Sequence, residues 1–211
     1  MSRFLKPRAR PTQCAACPIR QNALFQVVPV SYIDDAQSRR TDQYHLPARR
    51  LLYEEGAPAT MAYTLYEGWL MLYRSHSDGR RQGLRVALPG DFLGYMPPGE
   101  GYIHHSALAI TNAVVCGFGQ AGLHEMMGKH PDLAAHITRI QARYMASCQS
   151  AMLGLGRKTA EQRIAFLIAE LFHRLRKRRL RMDGIARAER QRLEILDLDA
   201  LVRLGEFVET E

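Results

Sequence analysis

The 211-residue sequence predicts an α+β chain in which a β-sandwich or barrel is followed by long helices. Two patterns lead to this. Between Tyr44 and Phe118 the apolar residues come in short runs: Leu51–Tyr53, Ala62–Tyr66, Trp69–Tyr73, Leu84–Leu88, Ile103–Ile110 and Ala113–Phe118. Turn residues divide them, and short strands at this spacing build an all-β sandwich or barrel. From His130-Pro131-Asp132 onward, apolar residues recur instead at steps of three and four, the period of a helix face.

Residues 1–43 show little periodicity, and Pro7, Pro11, Pro18 and Pro29 break up regular structure there. They read as an extended arm with one short helix around Gln21–Phe25, polar from 31 to 43. Residues 44–129 form the β unit. Its turns are Glu55-Gly56, Glu67-Gly68, Leu88-Pro89-Gly90-Asp91 and Pro97-Pro98-Gly99, and Asp78-Gly79 between two apolar runs signals a hairpin.

Residues 130–156 then form one long helix. Pro131 suits the first turn, and Asp132 complements the helix dipole. Leu133, Ile137, Ile140, Tyr144, Cys148, Met152 and Leu155 draw a narrow seam along it. A seam this long favours pairing with a second copy, giving a homodimer interface of Leu133, Ile137, Ile140, Tyr144, Cys148 and Met152. The alternative is that the seam packs on the chain's own β unit. Gly154 and Gly156 are expected to interrupt the helix, and Thr159-Ala160-Glu161-Gln162 forms a capping box opening another. That second helix carries Ile164, Leu167, Ile168, Leu171 and Leu175 on its apolar face. Beyond it Asp183-Gly184 marks a turn, residues 192–198 alternate like a strand, and residues 199–204 read as a short helix.

Composition narrows the function. With 46% hydrophobic and 24% charged residues the chain is an ordinary globular protein. No apolar run approaches the ~20 residues that span a bilayer. The basic N-terminus is not followed by the apolar stretch of a secretory signal, so no membrane partner and a cytoplasmic location are expected. A net charge of +8 and a pI near 9.6 favour an acidic partner, nucleic acid first, although a solvated basic surface accounts for the charge equally well. The excess is concentrated late in the chain, and Arg176, Lys177, Arg178, Arg179 and Arg190 are the candidate nucleic-acid contacts. Of the four cysteines, Cys14 and Cys17 form a CxxC pair close enough to share a metal. No nucleophile elbow, phosphate loop or HExxH pattern occurs, which argues against an enzyme.

Several motifs together resemble the Crp/Fnr family of transcription regulators. They are Tyr53-Glu54-Glu55-Gly56, Tyr66-Glu67-Gly68, Leu88-Pro89-Gly90-Asp91-Phe92-Leu93-Gly94, the long helix from Pro131, and the junction running from Leu155 to Arg163. Cys14-Ala15-Ala16-Cys17-Pro18-Ile19-Arg20 followed by Phe25 resembles the N-terminal arm of the Fnr-like branch. The resemblance implies a cyclic-nucleotide-binding-like, double-stranded β-roll (jelly roll), a dimerisation helix, and a winged helix-turn-helix that reads DNA. Here residues 157–211 match only a truncated winged-helix remnant. Between Arg179 and Ile185 the sequence passes almost directly to the family's wing, without a recognition helix.

The resemblance also locates an effector pocket. Tyr95 stands where cyclic-nucleotide-binding members place a ribose-binding glutamate, and His105 stands where they place a phosphate-binding arginine, followed by Ser106. A mostly neutral imidazole replaces a permanent guanidinium poorly, so cyclic AMP is not the expected effector. His104 and His105, adjacent on a strand, face opposite ways, so at most one reaches the pocket. Iron–sulfur members use three arm cysteines and one in the roll. Cys14, Cys17 and Cys116 match three of those positions and are the candidate ligands of an iron–sulfur cluster, while Ala23 occupies the third arm position. The expected function is an effector- or redox-responsive homodimeric regulator, with DNA as partner only where a complete reader is present. The alternative is a DNA-blind module that titrates a full-length paralogue into heterodimers.

Overall fold

A computed structural model describes residues 3–177 of the chain. Arg178, Arg179 and Arg190, and the expected turn, strand and helix beyond them, lie outside the described residues. The chain divides into two units, Met1–Gln141 and Ala142–Glu211.

The first unit is built on nine strands: β1 Lys6–Pro7, β2 Arg40–Leu46, β3 Leu51–Tyr53, β4 Met61–Glu67, β5 Leu70–Ser75, β6 Arg81–Ala87, β7 Phe92–Leu93, β8 Ser106–Ala109 and β9 Ala113–Gly119. They form two sheets, ordered β1-β2-β9-β4-β7 and β3-β8-β5-β6, with every pairing antiparallel. Each of the six apolar runs of the sequence contains a strand, although only Ser106–Ala109 of the run Ile103–Ile110 is one. The hairpin forms as expected, β5 pairing with β6 around a Gly79 of φ +82°. Gly68 is held more tightly: at φ +85° a Cβ there would lie 2.3 Å from the carbonyl oxygen of Asn112.

Strand alternation sorts side chains into two cores. Leu46, Leu52, Tyr63, Leu65, Leu72 and Val115 fill the space between the sheets. On the opposite face of the first sheet, Ala62, Phe92, Cys116 and Phe118 meet residues of the arm and helices. The turn before β7 is held from inside. Asp91, 2% exposed, accepts from the Leu88 backbone N–H at 2.9 Å and pairs with the Arg85 guanidinium at 3.0 Å.

Several elements differ from expectation. The arm segment read as polar and extended contains helix α1, Ile33–Arg39, and β2 starts four residues earlier than expected, at Arg40. Asp34 and Asp35 favour the α1 N-terminus, and its buried residues Ile33 and Ala36 make one short apolar stripe. A second helix, α2, Gln120–Lys129, follows β9 directly; it buries Leu123 and Met126. The long helix α3, Pro131–Arg157, is 27 residues and continues through Gly154 and Gly156. Each glycine costs about 1 kcal/mol relative to alanine near a helix end, too little to stop it.

In the second unit the capping box closes as expected: Gln162 N donates to Thr159 Oγ1 at 3.3 Å, and Thr159 N donates to Gln162 Oε1 at 2.9 Å. It opens α4, Ala160–Lys177. Ala165, Ala169 and Leu175 are its buried residues, whereas Ile164 and Leu167 are exposed. No helix among the described residues is long and apolar enough to cross a membrane.

Candidate functional site: a thiol centre between arm and roll

Cys116 sits on β9 directly opposite Gln43 of β2 on one side and Thr64 of β4 on the other. All three side chains share the face that carries the second core. Cys14 packs against that core from the arm, so the arm closes over this row of the sheet. Gln43 is fully buried and acts as the clamp. Its Oε1 accepts from Arg8 at 3.2 Å and from Thr12 N at 2.9 Å, while its Nε2 donates to Cys116 Sγ at 3.6 Å. Arg40 donates to Thr12 O at 2.6 Å and reaches Cys14 Sγ at 4.0 Å, and Gln37 accepts from Cys14 N at 2.7 Å. The backbone N–H groups of Ile19 and Arg20 point at Cys17. The arm is thereby pinned by side chains from α1 and β2, which no local pattern in residues 1–43 announces.

The three cysteines feel one another. Burial pushes the Cys116 thiol up to about 11, with the charges of Cys17 and Cys14 adding to the rise and Arg40 opposing it. Burial likewise raises Cys14 and Cys17, against the lowering influence of Arg40 and Arg20. Burial thus favours the protonated form of each thiol. Two polar atoms beside them are buried without a hydrogen-bond partner among the described residues, Arg20 Nε and Thr64 Oγ1. Native interiors seldom leave such groups unpaired.

Among the described residues, no three His, Cys, Asp or Glu side chains converge as the ligands of a single metal ion do. An iron–sulfur cubane asks for something else. Each iron takes one thiolate at its own corner, which spreads the ligands. Cys14, Cys17 and Arg40 lie within electrostatic reach of Cys116, and these three thiols are the residues that would hold such a centre. Ala23, at the third arm position, is 8% exposed and offers only a methyl group. Cys148 is exposed in the second unit.

The proposed effector-pocket residues do not come together. His105 and Ser106 lie near the β3 end: His105 Nε2 meets Tyr53 Oη at 2.9 Å, and Ser106 Oγ accepts from Glu55 N at 3.0 Å. Burial is the main cause that holds the His105 imidazole below its ordinary value of 6.5. Tyr95 belongs instead to the second core, ringed by Phe92 and His124, with its hydroxyl 3.7 Å from Met127 Sδ. Its aromatic ring packs into that core. His104 is exposed, 3.6 Å from Glu100.

The helical seam also divides. Leu133 and Ile137 are 0% and 2% exposed and belong to the second core, with Ile140 packed against it. For Leu133 and Ile137 the expectation of a dimer contact is corrected: their surface is consumed inside their own unit. Farther along α3, Tyr144 is half-buried, while Cys148 and Met152 are exposed. Arg176 is exposed at the end of α4, and Lys177 is that helix's last residue.

A two-sheet antiparallel roll with an arm packed on one face is the fold of a cyclic-nucleotide-binding-type domain. Residues 43–130 match the family described as the cyclic nucleotide-binding domain. Over 156 residues the chain is 31% identical to the nitrogen fixation regulation protein FixK of Bradyrhizobium diazoefficiens, covering 72% of this chain and 63% of that protein. It is 35% identical over 140 residues to the transcriptional activatory protein AadR of Rhodopseudomonas palustris, covering 66% and 56%. Among solved structures, FixK2 from Bradyrhizobium japonicum superposes with a TM-score of 0.59 at 29% identity, over 63% of this chain and 66% of that one. The chain is thus similar over much of its length to transcription regulators of the Crp/Fnr type. It spans less than two thirds of the length of the two curated relatives described, 63% and 56%.

Proposed function

We propose that this chain is the sensing and pairing part of a homodimeric, cytoplasmic transcription regulator that responds to redox state through an iron–sulfur centre held by Cys14, Cys17 and Cys116. The observation that carries this reading is the gathering of three cysteines from the arm and β9 beside two orphaned polar atoms, Arg20 Nε and Thr64 Oγ1. A bound cluster would supply oxygen-sensitive redox chemistry. The chain's own residues supply three thiolates and two flanking guanidinium groups.

The same core supports a route from sensing to pairing. The second core joins Cys116, the arm residues Leu24, Phe25 and Val28, and Leu133 and Ile137 of α3. Gln26 Nε2 also lies 2.9 Å from His136 Nε2. A change in the arm's packing is thus felt directly by the first turns of α3. The exposed apolar residues farther along that helix serve the partner subunit, and Arg176 with the basic residues after it serves phosphate contact in a full-length reader.

Anaerobic reconstitution of the full chain with iron and sulfide tests the reading. Visible charge-transfer absorbance with matching iron and sulfide content is expected, and Cys116→Ala is expected to abolish most of it. A featureless spectrum from the unaltered chain would contradict the proposal.

A further inference from the structure

Where the start of the arm meets β3 and β4, a cavity of about 410 Å³ borders the first core. Small-molecule sites run from roughly 300 to 1,000 Å³, mostly apolar with a few placed polar groups. This cavity has that make-up. Tyr53, Tyr63 and Ile103 line it from the core, and all three are buried. Phe4 of the arm lines it too, packed against the same core, and Arg3 and Glu54 are its exposed charged residues. Tyr95, His105 and Ser106 do not border it, and Cys14 and Cys116 belong to the second core, so it is separate from the sites described above.

Two features select what it holds. The first is a hydroxyl. Tyr53 Oη is engaged by His105 Nε2 at 2.9 Å. Tyr63 is 2% exposed, yet its hydroxyl makes no hydrogen bond among the described residues, and burial pushes it up to about 12. Buried tyrosine hydroxyls usually find a partner. Phenylalanine would supply the same ring without an unpaired oxygen, and the cavity is where a partner can reach it. The second feature is charge. The Arg3 and Arg50 guanidinium groups lie 5.0 and 4.5 Å from the centre of the Phe4 ring, two positive charges against the single carboxylate of Glu54. That balance favours an anion, and a carboxylate matches the guanidinium fork.

We propose that this cavity binds a small amphipathic carboxylate that carries a second oxygen on its chain. The apolar chain lies against Phe4, Tyr53 and Ile103, the carboxylate meets Arg3 at the exposed side, and the chain oxygen accepts from the Tyr63 hydroxyl. Because Phe4 belongs to the arm, an occupied cavity also holds the start of the arm against the roll.

The test is titration calorimetry of the full chain with three probes of one chain length: octanoate, ω-hydroxyoctanoate and octylammonium. Both acids are expected to bind more tightly than octylammonium, and ω-hydroxyoctanoate about two- to tenfold more tightly than octanoate. Tyr63→Phe should erase the preference for the hydroxy acid while leaving octanoate unchanged. Arg3→Gln, at an exposed position, should weaken both acids by about three- to fivefold. Ala57→Phe, which puts a ring at the lining of the cavity, should weaken all three probes. Octylammonium binding as tightly as octanoate, or a hydroxy-acid preference that survives Tyr63→Phe, would overturn the proposal. So would failure of the unaltered chain to bind either acid. Should Tyr63→Phe fail to fold, Arg3→Gln decides alone, because unchanged affinity for both acids there would overturn it as well.

Discussion

A chain carrying Met152→Glu and Leu155→Glu is expected to sediment as a monomer at concentrations where the unaltered chain is a dimer. Met152 and Leu155 are 70% and 54% exposed on α3, and Met145 is 65% exposed one helical face-repeat earlier. Burying an apolar side chain of this size stabilises by about 1.5–3 kcal/mol. A two-fold interface counts each substitution twice. Loss of about 6 kcal/mol or more follows, upwards of roughly ten-thousandfold in dimer affinity. Leu133→Ala makes the control, because that side chain is buried within its own unit. It should lower unfolding stability by about 2–5 kcal/mol while leaving the folded chain able to pair. A dimer that survives both glutamates would place the interface elsewhere.

The second large effect concerns the turn before β7. Asp91→Ala is expected to destabilise the chain by about 3–5 kcal/mol, because it removes the buried carboxylate that pairs with the Arg85 guanidinium and accepts from the Leu88 N–H. Arg85 is 13% exposed and Asp91 2%, so water cannot replace the lost carboxylate. Against a typical stability of about 5–15 kcal/mol this is a large fraction. Asp91→Asn keeps an acceptor for Leu88 and should cost less. Urea unfolding midpoints measure both, and equal midpoints for Asp91→Ala and the unaltered chain would contradict a structural role for the pair.

Much of this architecture is legible in the residues. The six apolar runs become strands because half-buried strands need alternation and turns need glycine, as at Gly68 and Gly79. Helix α2 escaped notice because its apolar signal is thin: Leu123 and Met126 are its buried apolar residues, and Gly122 and Gly128 interrupt it. Periodicity found the seam of α3 but could not name its occupant. Leu133 and Met152 sit on one helical stripe, yet the first meets the chain's own core and the second faces outward.

The thiol site was legible only in part. Cys14, Cys17 and Cys116 are suggested by a family resemblance, whereas a glutamine amid a β-strand carries no signal. Gln43 becomes significant only once the register sets it opposite Cys116. Tyr95 failed as a pocket residue for the converse reason. Its position matches a binding residue, but its ring packs into the other core.

The central claim is that the thiol centre and the first turns of α3 belong to one sensing device. Amide hydrogen exchange across residues 131–141 tests it most directly, in the anaerobically reconstituted chain and after oxygen exposure. The first turns of α3 are expected to be better protected in the reconstituted form, since a filled centre anchors the arm that packs on Leu133 and Ile137. Identical exchange in the two forms, with the cluster demonstrably gained and lost, would contradict the coupling.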